Sequence, residues 1–253
     1  MDIVFLGTGT GIPSVHRGSP SLLVQHNRTS ILVDSGPGAL RQLAGAGLSF
    51  DRLDCLLYTH LHPDHTLDLV SYLFAACNKK AFTRSSPVRI VGPEGFLEFY
   101  QHLRRAFGRF VEPPEEIVTV AESLLKNREL DLPDLGISTF PTPHTPESRG
   151  YLFRSNPGLS LAVTGDTGYS PELAASFREV DLLVTECSLP DSCRVEGHLT
   201  PTLAGRLASE AAAGVLALNH FYPEVEGRDI ETRVRQFYKG RLYLTEDLQK
   251  ITL

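Results

Sequence analysis

The chain has 253 residues, a formal net charge of −6 at pH 7 and four cysteines. A chain of this length can bury one large core, and its apolar runs are far too short to cross a bilayer, which excludes a membrane-spanning protein. The acidic balance argues against extensive contact with nucleic acid. The start of the chain lacks the basic region of a signal peptide, and the cysteines lack disulfide-like spacing. We therefore expect a single domain over residues 1–253, located in the cytoplasm.

Strands and helices alternate along the chain without internal repeats. The predicted strands, in chain order, are Ile3–Leu6, Ser21–Val24, Ser30–Val33, Leu53–Tyr58, Val88–Val91, Gly136–Phe140, Tyr151–Arg154, Leu159–Thr164, Leu182–Thr185 and Val215–Leu218. The predicted helices are Ala39–Ala46, Thr66–Ala76, Gly95–Phe107, Pro171–Phe177, Pro201–Ala212 and Asp229–Phe237. Early hairpins followed by strand–helix units favour an α/β protein in which two mixed sheets stack face to face with helices outside.

Four metal-capable side chains are packed into six residues directly after the predicted strand Leu53–Tyr58. They are His60, His62, Asp64 and His65. Crowded imidazoles and a carboxylate resist desolvation unless a positive ion lies between them. Nitrogen and oxygen ligands suit borderline cations such as zinc, manganese or iron. The cluster therefore predicts a catalytic metal site.

Three further residues with metal-binding side chains follow apolar strands. They are His144, Asp166 and His220. A single histidine after a strand is more often a hydrogen-bonded structural residue. Open α/β sheets, however, present ligands at the carboxyl ends of their strands, so these residues and the six-residue cluster are expected to converge on one edge.

The order of these motifs resembles that of the metallo-β-lactamase superfamily: HxHxDH, a later histidine, Gly-Asp-Thr and a strand ending in histidine. Three elements resemble the ribonuclease Z branch, namely the opening Ile3–Pro13 with its Gly7-Thr8-Gly9-Thr10-Gly11, the segment Val91–Gly95 and the late Gly197-His198-Leu199-Thr200. The resemblance extends from Met1 to about His220. It implies a four-layer αββα sandwich with the metal site at one edge of the β-sandwich.

The chain departs from the family's pattern in three places. The family's His-Glu-Ala-Thr element reads Thr185-Glu186-Cys187-Ser188, so only the glutamate is kept. Thr66-Leu67-Asp68-Leu69 stands where many members have a glycine-leucine pair. Members that mature tRNA carry a long arm that grips the tRNA, and the roughly forty residues between Pro93 and Asp131 leave no room for it. Two ordinary helical stretches are predicted there instead.

The resemblance implies a ligand set for two divalent ions, with zinc as the first candidate and manganese or iron as alternatives. His60, His62 and His144 would bind one ion, whereas Asp64, His65 and His220 would bind the second. Asp166 would bridge the two ions. Asp64 would also orient the attacking water and accept its proton. Asp34 is expected either to fix an imidazole by accepting its N–H or to be an ordinary turn residue.

A proton donor for the leaving group is also needed, because an alkoxide departs poorly. His198 is the candidate, paired with a carboxylate such as Glu186 or Glu196; the resemblance favours Glu186. A carboxylate partner would keep the imidazole protonated near neutral pH. The alternative is that His198 caps the helix predicted to begin near Pro201.

Two other segments have features of phosphate-binding elements. The loop Gly7–Gly11 lacks the spacing of a dinucleotide fingerprint and the Gly-Lys-Ser/Thr of a P-loop, so we expect a tight turn that passes close to the metal site. The segment Lys79–Phe110 is locally positive by about five charges. Its basic residues are Lys79, Lys80, Arg84, Arg89, Arg104, Arg105 and Arg109. It is either a solvated helix face or a surface that steers phosphates.

The resemblance implies a metal-dependent hydrolase, and we predict a phosphodiesterase in which a metal-activated water attacks a phosphodiester bond of a small molecule or of RNA. A tRNA 3′-end-processing endoribonuclease (ribonuclease Z) is the alternative, and lactone or thioester hydrolysis is a third reading. A homodimer would use the apolar residues Leu67, Leu69, Val70, Leu73 and Phe74, which would otherwise face the core.

Overall fold

Two seven-stranded sheets stack face to face, and helices cover both outer faces. The structure is a computed structural model, and it describes residues 1–78, 80, 82, 84, 86–122, 130–156 and 158–253. The arrangement is the four-layer αββα sandwich that the sequence predicts.

The first sheet contains, from edge to edge, β14 (Lys250–Thr252), β1 (Asp2–Gly7), β2 (Ser21–His26), β3 (Thr29–Val33), β4 (Cys55–Leu57), β5 (Val88–Gly92) and β6 (Val118–Glu122). The second contains β13 (Arg241–Leu244), β12 (Val215–Asn219), β11 (Leu182–Glu186), β10 (Ser160–Val163), β9 (Arg149–Ser155), β8 (Leu135–Pro141) and β7 (Leu130–Leu132). The helices are α1 (Ala39–Gly45), α2 (Pro63–Thr66), α3 (Asp68–Ala76), α4 (Phe96–Phe107), α5 (Pro171–Ser176), α6 (Pro201–Glu210) and α7 (Ile230–Val234).

The apolar strands are buried on both faces, as β3 illustrates. Ile31 and Val33 lie in the core between the two sheets. Leu32 points the other way and packs in the outer core with residues of α1 and α3, such as Leu43 and Leu69. Because helices cover the outside of the sheet, such strands are continuous apolar runs rather than alternating ones.

Four of the seven strands in each sheet are parallel neighbours. β3, β4, β5 and β6 are parallel neighbours in the first sheet, and β10, β11, β12 and β13 are parallel neighbours in the second. Their carboxyl ends lie at a common edge of the sandwich, and the residues that follow them are free of strand pairing. This is the edge at which the sequence places the candidate site.

Most predicted elements are present with small shifts at their ends, but the second helical stretch between Pro93 and Asp131 is wrong. The part of it over Val118–Glu122 is strand β6, and residues 123–129 lie outside the described part of the chain. Val118 and Val120 pair with β5, where their β-branched side chains fit a pleated sheet. The predicted helix Thr66–Ala76 instead comprises α2, which begins at Pro63, and α3.

Both strands at the carboxyl terminus, β13 and β14, are absent from the predicted elements. β13 pairs with β12, and β14 pairs with β1, so the last residues form one edge of each sheet. Both strands are short and half exposed, and such edge strands carry little periodic signal.

The surface and core positions of several predicted residues can now be assigned. Of the residues considered for a dimer interface, Leu69 and Leu73 are buried in the core, whereas Leu67 and Phe74 are exposed.

All four cysteines are free, and Cys55 is buried as its apolar context predicts. Within the described ranges, no helix combines the length and the apolar character that crossing a membrane requires.

Candidate metal centre

Strand ends from both sheets deliver the predicted ligands to one edge. His60 follows β4 in the first sheet, and His144, Asp166 and His220 follow β8, β10 and β12 in the second. Each strand is anchored by its apolar side chains, so the position of the polar residue just beyond it is fixed. The structure thus brings together the side chains that the sequence analysis placed at strand ends.

The short helix α2 supplies two further side chains of the predicted set. Pro63 occupies its first turn, where the missing N–H costs nothing, and Asp64 and His65 follow. Gly36, just after β3, packs directly on this helix: a Cβ there would lie 1.9 Å from the Asp64 carbonyl oxygen. Only glycine permits this approach, so the residue at position 36 sets the depth at which Asp64 enters the site.

The seven side chains form two groups that meet at one carboxylate. Ligand-capable atoms of His60, His62, His144 and Asp166 lie within 4.8 Å of one another, and so do those of Asp64, His65 and His220. One oxygen of Asp166, Oδ2, lies 3.8 Å from Nε2 of both His60 and His144. The other, Oδ1, lies 3.3 Å from Nε2 of both His65 and His220. Asp166 thus faces both groups at once.

The hydrogen bonding inside the cluster is incomplete in a way that a cation would resolve. Among the described residues, the buried atoms His60 Nε2 and Asp166 Oδ1 have no hydrogen-bond partner. Buried polar atoms are rarely left in this state. The Nε2 atoms of His65 and His220 also point at each other across 3.4 Å. These lone pairs and carboxylate oxygens fit the donor set of divalent metal ions.

Asp34 fixes the proton of one imidazole and supports a second. Its Oδ2 accepts hydrogen bonds from His65 Nδ1 and from Thr59 Oγ1, both at 2.8 Å. Because the Thr59 hydroxyl donates to Asp34, it must accept from His60 Nδ1, 3.0 Å away. Both imidazoles therefore carry a proton on Nδ1 and direct Nε2 to the cluster. The predicted hydrogen bond from an imidazole N–H to Asp34 is confirmed.

The same pattern holds on the second sheet. His144 Nδ1 donates to the carbonyl oxygen of Gly197 at 3.0 Å. His220 Nδ1 lies 3.0 Å from the hydroxyl of Ser188, which in turn donates to Glu186. Both rings thus turn Nε2 inward. Hydrogen bonds of this kind orient metal ligands and raise their basicity.

Two residues of the site have an unusual backbone conformation. Asp34 has φ 58° and His220 has φ 56°, in the left-handed region that residues other than glycine seldom adopt. Such strain persists only where surrounding contacts enforce it, and it concentrates at functional sites. Here the left-handed conformation lets the backbone turn sharply after a strand, so that the side chains of Asp34 and His220 point back to the cluster.

Electrostatics keep the carboxylates ionised. Burial would raise the pKa of Asp64, but interactions with His220 and His65 lower it to about 2. Burial likewise opposes ionisation of Asp166, yet the same imidazoles hold its pKa well below the usual range. Burial and the nearby His65 lower the pKa of His60 to about 2, so His60 is neutral and able to donate its lone pair. The cluster therefore offers ionised carboxylate oxygens and, at His60, a neutral nitrogen to a cation.

His198 lies beside this cluster and is paired with Glu186, one of the two predicted carboxylates. Its Nδ1 lies 3.0 Å from Glu186 Oε1, whereas Glu196 is exposed. Glu186 is itself buried and accepts from the backbone N–H groups of Thr167 and Leu199. Burial lowers the pKa of His198, but the hydrogen bond and charge of Glu186 outweigh it and raise the pKa above its usual value.

His198 does not cap α6, which was the alternative role predicted for it. Thr200 is the N-cap residue of this helix, and Asp191 accepts from the backbone N–H of Thr202 in its first turn. His198 is therefore left with Glu186 as its partner and presents its other ring nitrogen away from that carboxylate.

Three residues of the site were missed by the sequence analysis. Thr59 and Ser188 relay the hydrogen bonds described above, but hydroxyl residues at strand ends are too common to signal such a role. Tyr222 contributes a ring whose centroid lies 5.7 Å from that of His220 and 6.1 Å from that of His198. Its position two residues after a predicted ligand was the available signal.

The glycine-rich loop passes close to the cluster, as predicted. A Cβ at Gly7 would lie 1.8 Å from the carbonyl oxygen of Ser19, so the two ends of the loop can touch only because that residue is glycine. Gly11 lies beside Asp64, at ordinary contact distance for a Cβ built there. Asp247 closes the loop from the carboxyl-terminal segment by accepting from the N–H groups of Thr8 and Gly18.

The basic segment is partly neutralised. Arg84 pairs with Asp54 at 2.6 Å, and Arg104 pairs with Glu112 at 2.7 Å. Arg105 and Arg109 are exposed on and after α4. Lys79 lies outside the described residues. The segment thus presents fewer available positive charges than its sequence indicates.

The comparisons with known proteins agree with the fold. The profile of the beta-lactamase superfamily domain matches residues 29–221, so the chain belongs to this superfamily. A ribonuclease Z from Mycobacterium sp. (strain KMS) is 28% identical over 277 residues, covering 99% of this chain and 95% of that protein.

Two solved structures extend the comparison to the whole fold. Human tRNase Z, short form, has a TM-score of 0.79 at 25% identity and covers 100% of this chain and 99% of its own. The metallo-beta-lactamase fold protein YhfI from Bacillus subtilis has a TM-score of 0.87 at 20% identity, covering 99% and 98%. The predicted resemblance to the ribonuclease Z branch is thereby confirmed.

Proposed function

We propose that this protein binds two divalent metal ions, with zinc as the first candidate, and hydrolyses phosphodiester bonds as a single catalytic domain over residues 1–253. The observation that carries the proposal is the carboxylate of Asp166, whose two oxygens face two separate groups of imidazoles. When bound in such a pair, metal ions lower the pKa of water and stabilise negative charge on a phosphoryl oxygen.

The chain's own residues supply orientation and proton transfer. Asp64 keeps 16% of its side chain exposed, and its Oδ2 lies 3.7 Å from Nε2 of His220. It is placed to hold the attacking water and to accept its proton. His198, whose pKa is raised by its pairing with Glu186, is placed to donate a proton to the departing alkoxide oxygen.

A tRNA 3′-end-processing activity is the second candidate, because relatives named ribonuclease Z align over almost their full length. Two features of this chain count against it. Residues 96–122 form α4, a short 3-10 turn and β6, with no projecting arm in that described range. The basic residues Arg84 and Arg104 are bound to carboxylates.

The test is to compare cleavage of a precursor tRNA with hydrolysis of bis(p-nitrophenyl) phosphate by metal-loaded protein. Diester turnover without tRNA cleavage supports a phosphodiesterase that acts on small substrates. Site-specific removal of the 3′ trailer supports the tRNA candidate, and Arg105→Glu should then reduce it while the remote Arg178→Glu does not. Failure of both reactions in protein that carries two metal ions contradicts the proposal and favours lactone or thioester hydrolysis.

A further inference from the structure

A groove opens beside the candidate metal centre on the side of Asp64. Its volume is about 630 Å3, and it lies between the glycine-rich loop, the turn after β3 and the start of α2. Asp64 belongs both to the lining of the groove and to the cluster. A substrate whose phosphorus lies at the cluster would therefore extend one of its substituents into this groove.

The lining of the groove is apolar and stiff. Ile12 and Leu67 line it with 49% and 50% of their surfaces exposed. The exposed prolines Pro13, Pro37 and Pro63 complete this surface. Contiguous exposed apolar residues next to a polar site are typical of ligand-binding grooves. Because proline fixes the backbone, the groove is formed before a ligand arrives, which lowers the entropic cost of binding.

The charges around the groove do not suit a polyanion. Among its lining residues only Arg17 and Asp64 are charged. The Arg17 guanidinium is already engaged: its Nε lies 2.6 Å from a carboxylate oxygen of Glu226, and its Nη1 donates to Thr8 Oγ1 and to the Thr245 carbonyl oxygen, both at 2.7 Å. A second phosphate entering here would meet the carboxylate of Asp64 rather than an available cation.

The leaving group has a different location. His198, the proposed proton donor, does not line the groove. Its ring centroid lies 4.8 Å from that of His144 in one group of the cluster and 6.1 Å from that of His220 in the other. The substituent that departs with the donated proton is therefore on the His198 side. The substituent that stays on phosphorus is left to occupy the groove.

We infer that the apolar groove at Ile12 and Leu67 binds one uncharged ring substituent, an aryl group or a nucleoside, that remains attached to phosphorus during hydrolysis. The inference rests on the proposed phosphodiesterase function and narrows its substrate. The preferred substrate is a diester with one neutral ring group on the retained side, rather than a chain of phosphates.

Three diesters with the same p-nitrophenolate leaving group test this inference. They retain a p-nitrophenyl group, a thymidine or a methyl group on phosphorus. The wild-type protein should have a higher kcat/KM for the first two diesters than for methyl p-nitrophenyl phosphate. Comparing the first two diesters with each other shows whether the groove prefers an aryl group or a nucleoside. Leu67→Glu should reduce this preference by about tenfold or more. Leu97→Glu, at a leucine 40% exposed on α4, is the matched control and should keep it.

Binding gives a second readout that does not depend on turnover. Diphenylphosphinate has no hydrolysable ester bond, and dimethylphosphinate lacks the rings. Calorimetric titration of the metal-loaded protein should show tighter binding of the diphenyl compound, and Leu67→Glu should remove that difference. An unchanged preference in Leu67→Glu, in both kinetics and binding, overturns the inference.

Two other outcomes are informative. If Leu67→Glu lowers all three rates equally and converts a dimer to a monomer in size-exclusion chromatography, the surface is an interface with a second copy and the inference fails. If wild-type protein with two bound metals hydrolyses none of the diesters, the proposed function fails. The phosphinate titration then decides separately whether the groove binds a ring.

Discussion

The carboxylate of Asp34 decides which nitrogen of His65 carries the proton. It accepts from His65 Nδ1 at 2.8 Å, which leaves Nε2 directed at Asp166. The same carboxylate accepts from the backbone N–H and the hydroxyl of Thr59. One residue outside the cluster thereby orders both the loop and the ring.

We expect Asp34→Asn to weaken zinc binding by about 10–100-fold, the usual effect of losing such a support. The amide nitrogen would face His65 Nδ1, and because two donors cannot pair, the imidazole proton would shift to Nε2, where the ion would bind. Competition against a chromophoric chelator measures the change. Asp54→Asn is the control, because Asp54 accepts from Ser30 and Arg84 instead. Equal affinities of the two variants would show that Asp34 does not set the tautomer.

The proton donated by His198 is expected to matter only when the leaving group is basic. Loss of a general acid costs about 10²–10⁴-fold in rate. We predict a loss of this size for His198→Ala on a dinucleotide, whose leaving group is an alkoxide. A change of only a few-fold is expected on bis(p-nitrophenyl) phosphate, because p-nitrophenolate departs without protonation. The exposed His102→Ala serves as the control. Equal losses of His198→Ala on both substrates would rule out proton donation.

The sequence was most informative at this scale where unusual residues are crowded. His60, His62, Asp64 and His65 within six residues have few explanations other than a metal site. Hydrogen-bond relays are different, since Thr59 and Ser188 acquire their roles only when two strands from different parts of the chain come together. No local pattern in one sequence marks such residues.

Among the elements, the carboxyl-terminal segment is more closely tied to the site than its sequence suggests. Asp247, between β13 and β14, accepts from the N–H of Thr8 at 2.9 Å, from its hydroxyl at 2.7 Å and from the N–H of Gly18 at 2.6 Å. It thereby closes the loop whose other side contacts Asp64.

Asp247→Ala should leave these backbone groups without a partner. The expected loss is about 2 kcal/mol in the free energy of unfolding, which corresponds to a decrease of about 4–8 °C in Tm. Loosening of the loop should also lower kcat/KM for diesters. Thermal unfolding and steady-state kinetics measure both effects, with Glu246→Ala as the exposed neighbouring control. If the two variants unfold at the same temperature, the loop does not depend on Asp247.

Strands and helices were predictable from the sequence where both faces are covered. The run Ser30–Val33 reads as a strand because packing on both sides demands apolar residues throughout. β6, β13 and β14 lie at sheet edges or next to loops, and their mixed sequences are decided by pairing partners far away in the chain. For that reason a second helical stretch was predicted in the region that contains Val118–Glu122, although these residues pair with β5.

At the scale of the whole molecule, two sheets of similar topology meet so that their parallel strands end at one edge. The first sheet contributes His60 and Asp34, and the second contributes Asp166 and His220. Half of the site therefore comes from each sheet, and Asp166 lies where the two halves join. The order of motifs along the chain allowed this convergence to be predicted, but the groove beside Asp64 could not be, because it depends on three loops.

The most direct test is a titration of metal-free protein with zinc, in which bound metal, Tm and hydrolysis of bis(p-nitrophenyl) phosphate are followed together. Ions that bind only to the folded state should raise Tm. At a free zinc concentration a thousandfold above Kd, the free energy of unfolding should increase by about 4 kcal/mol. We predict that activity rises until two ions are bound per chain and then levels off. Full turnover by protein shown to contain no metal, or a plateau at one ion, would contradict the two-metal site.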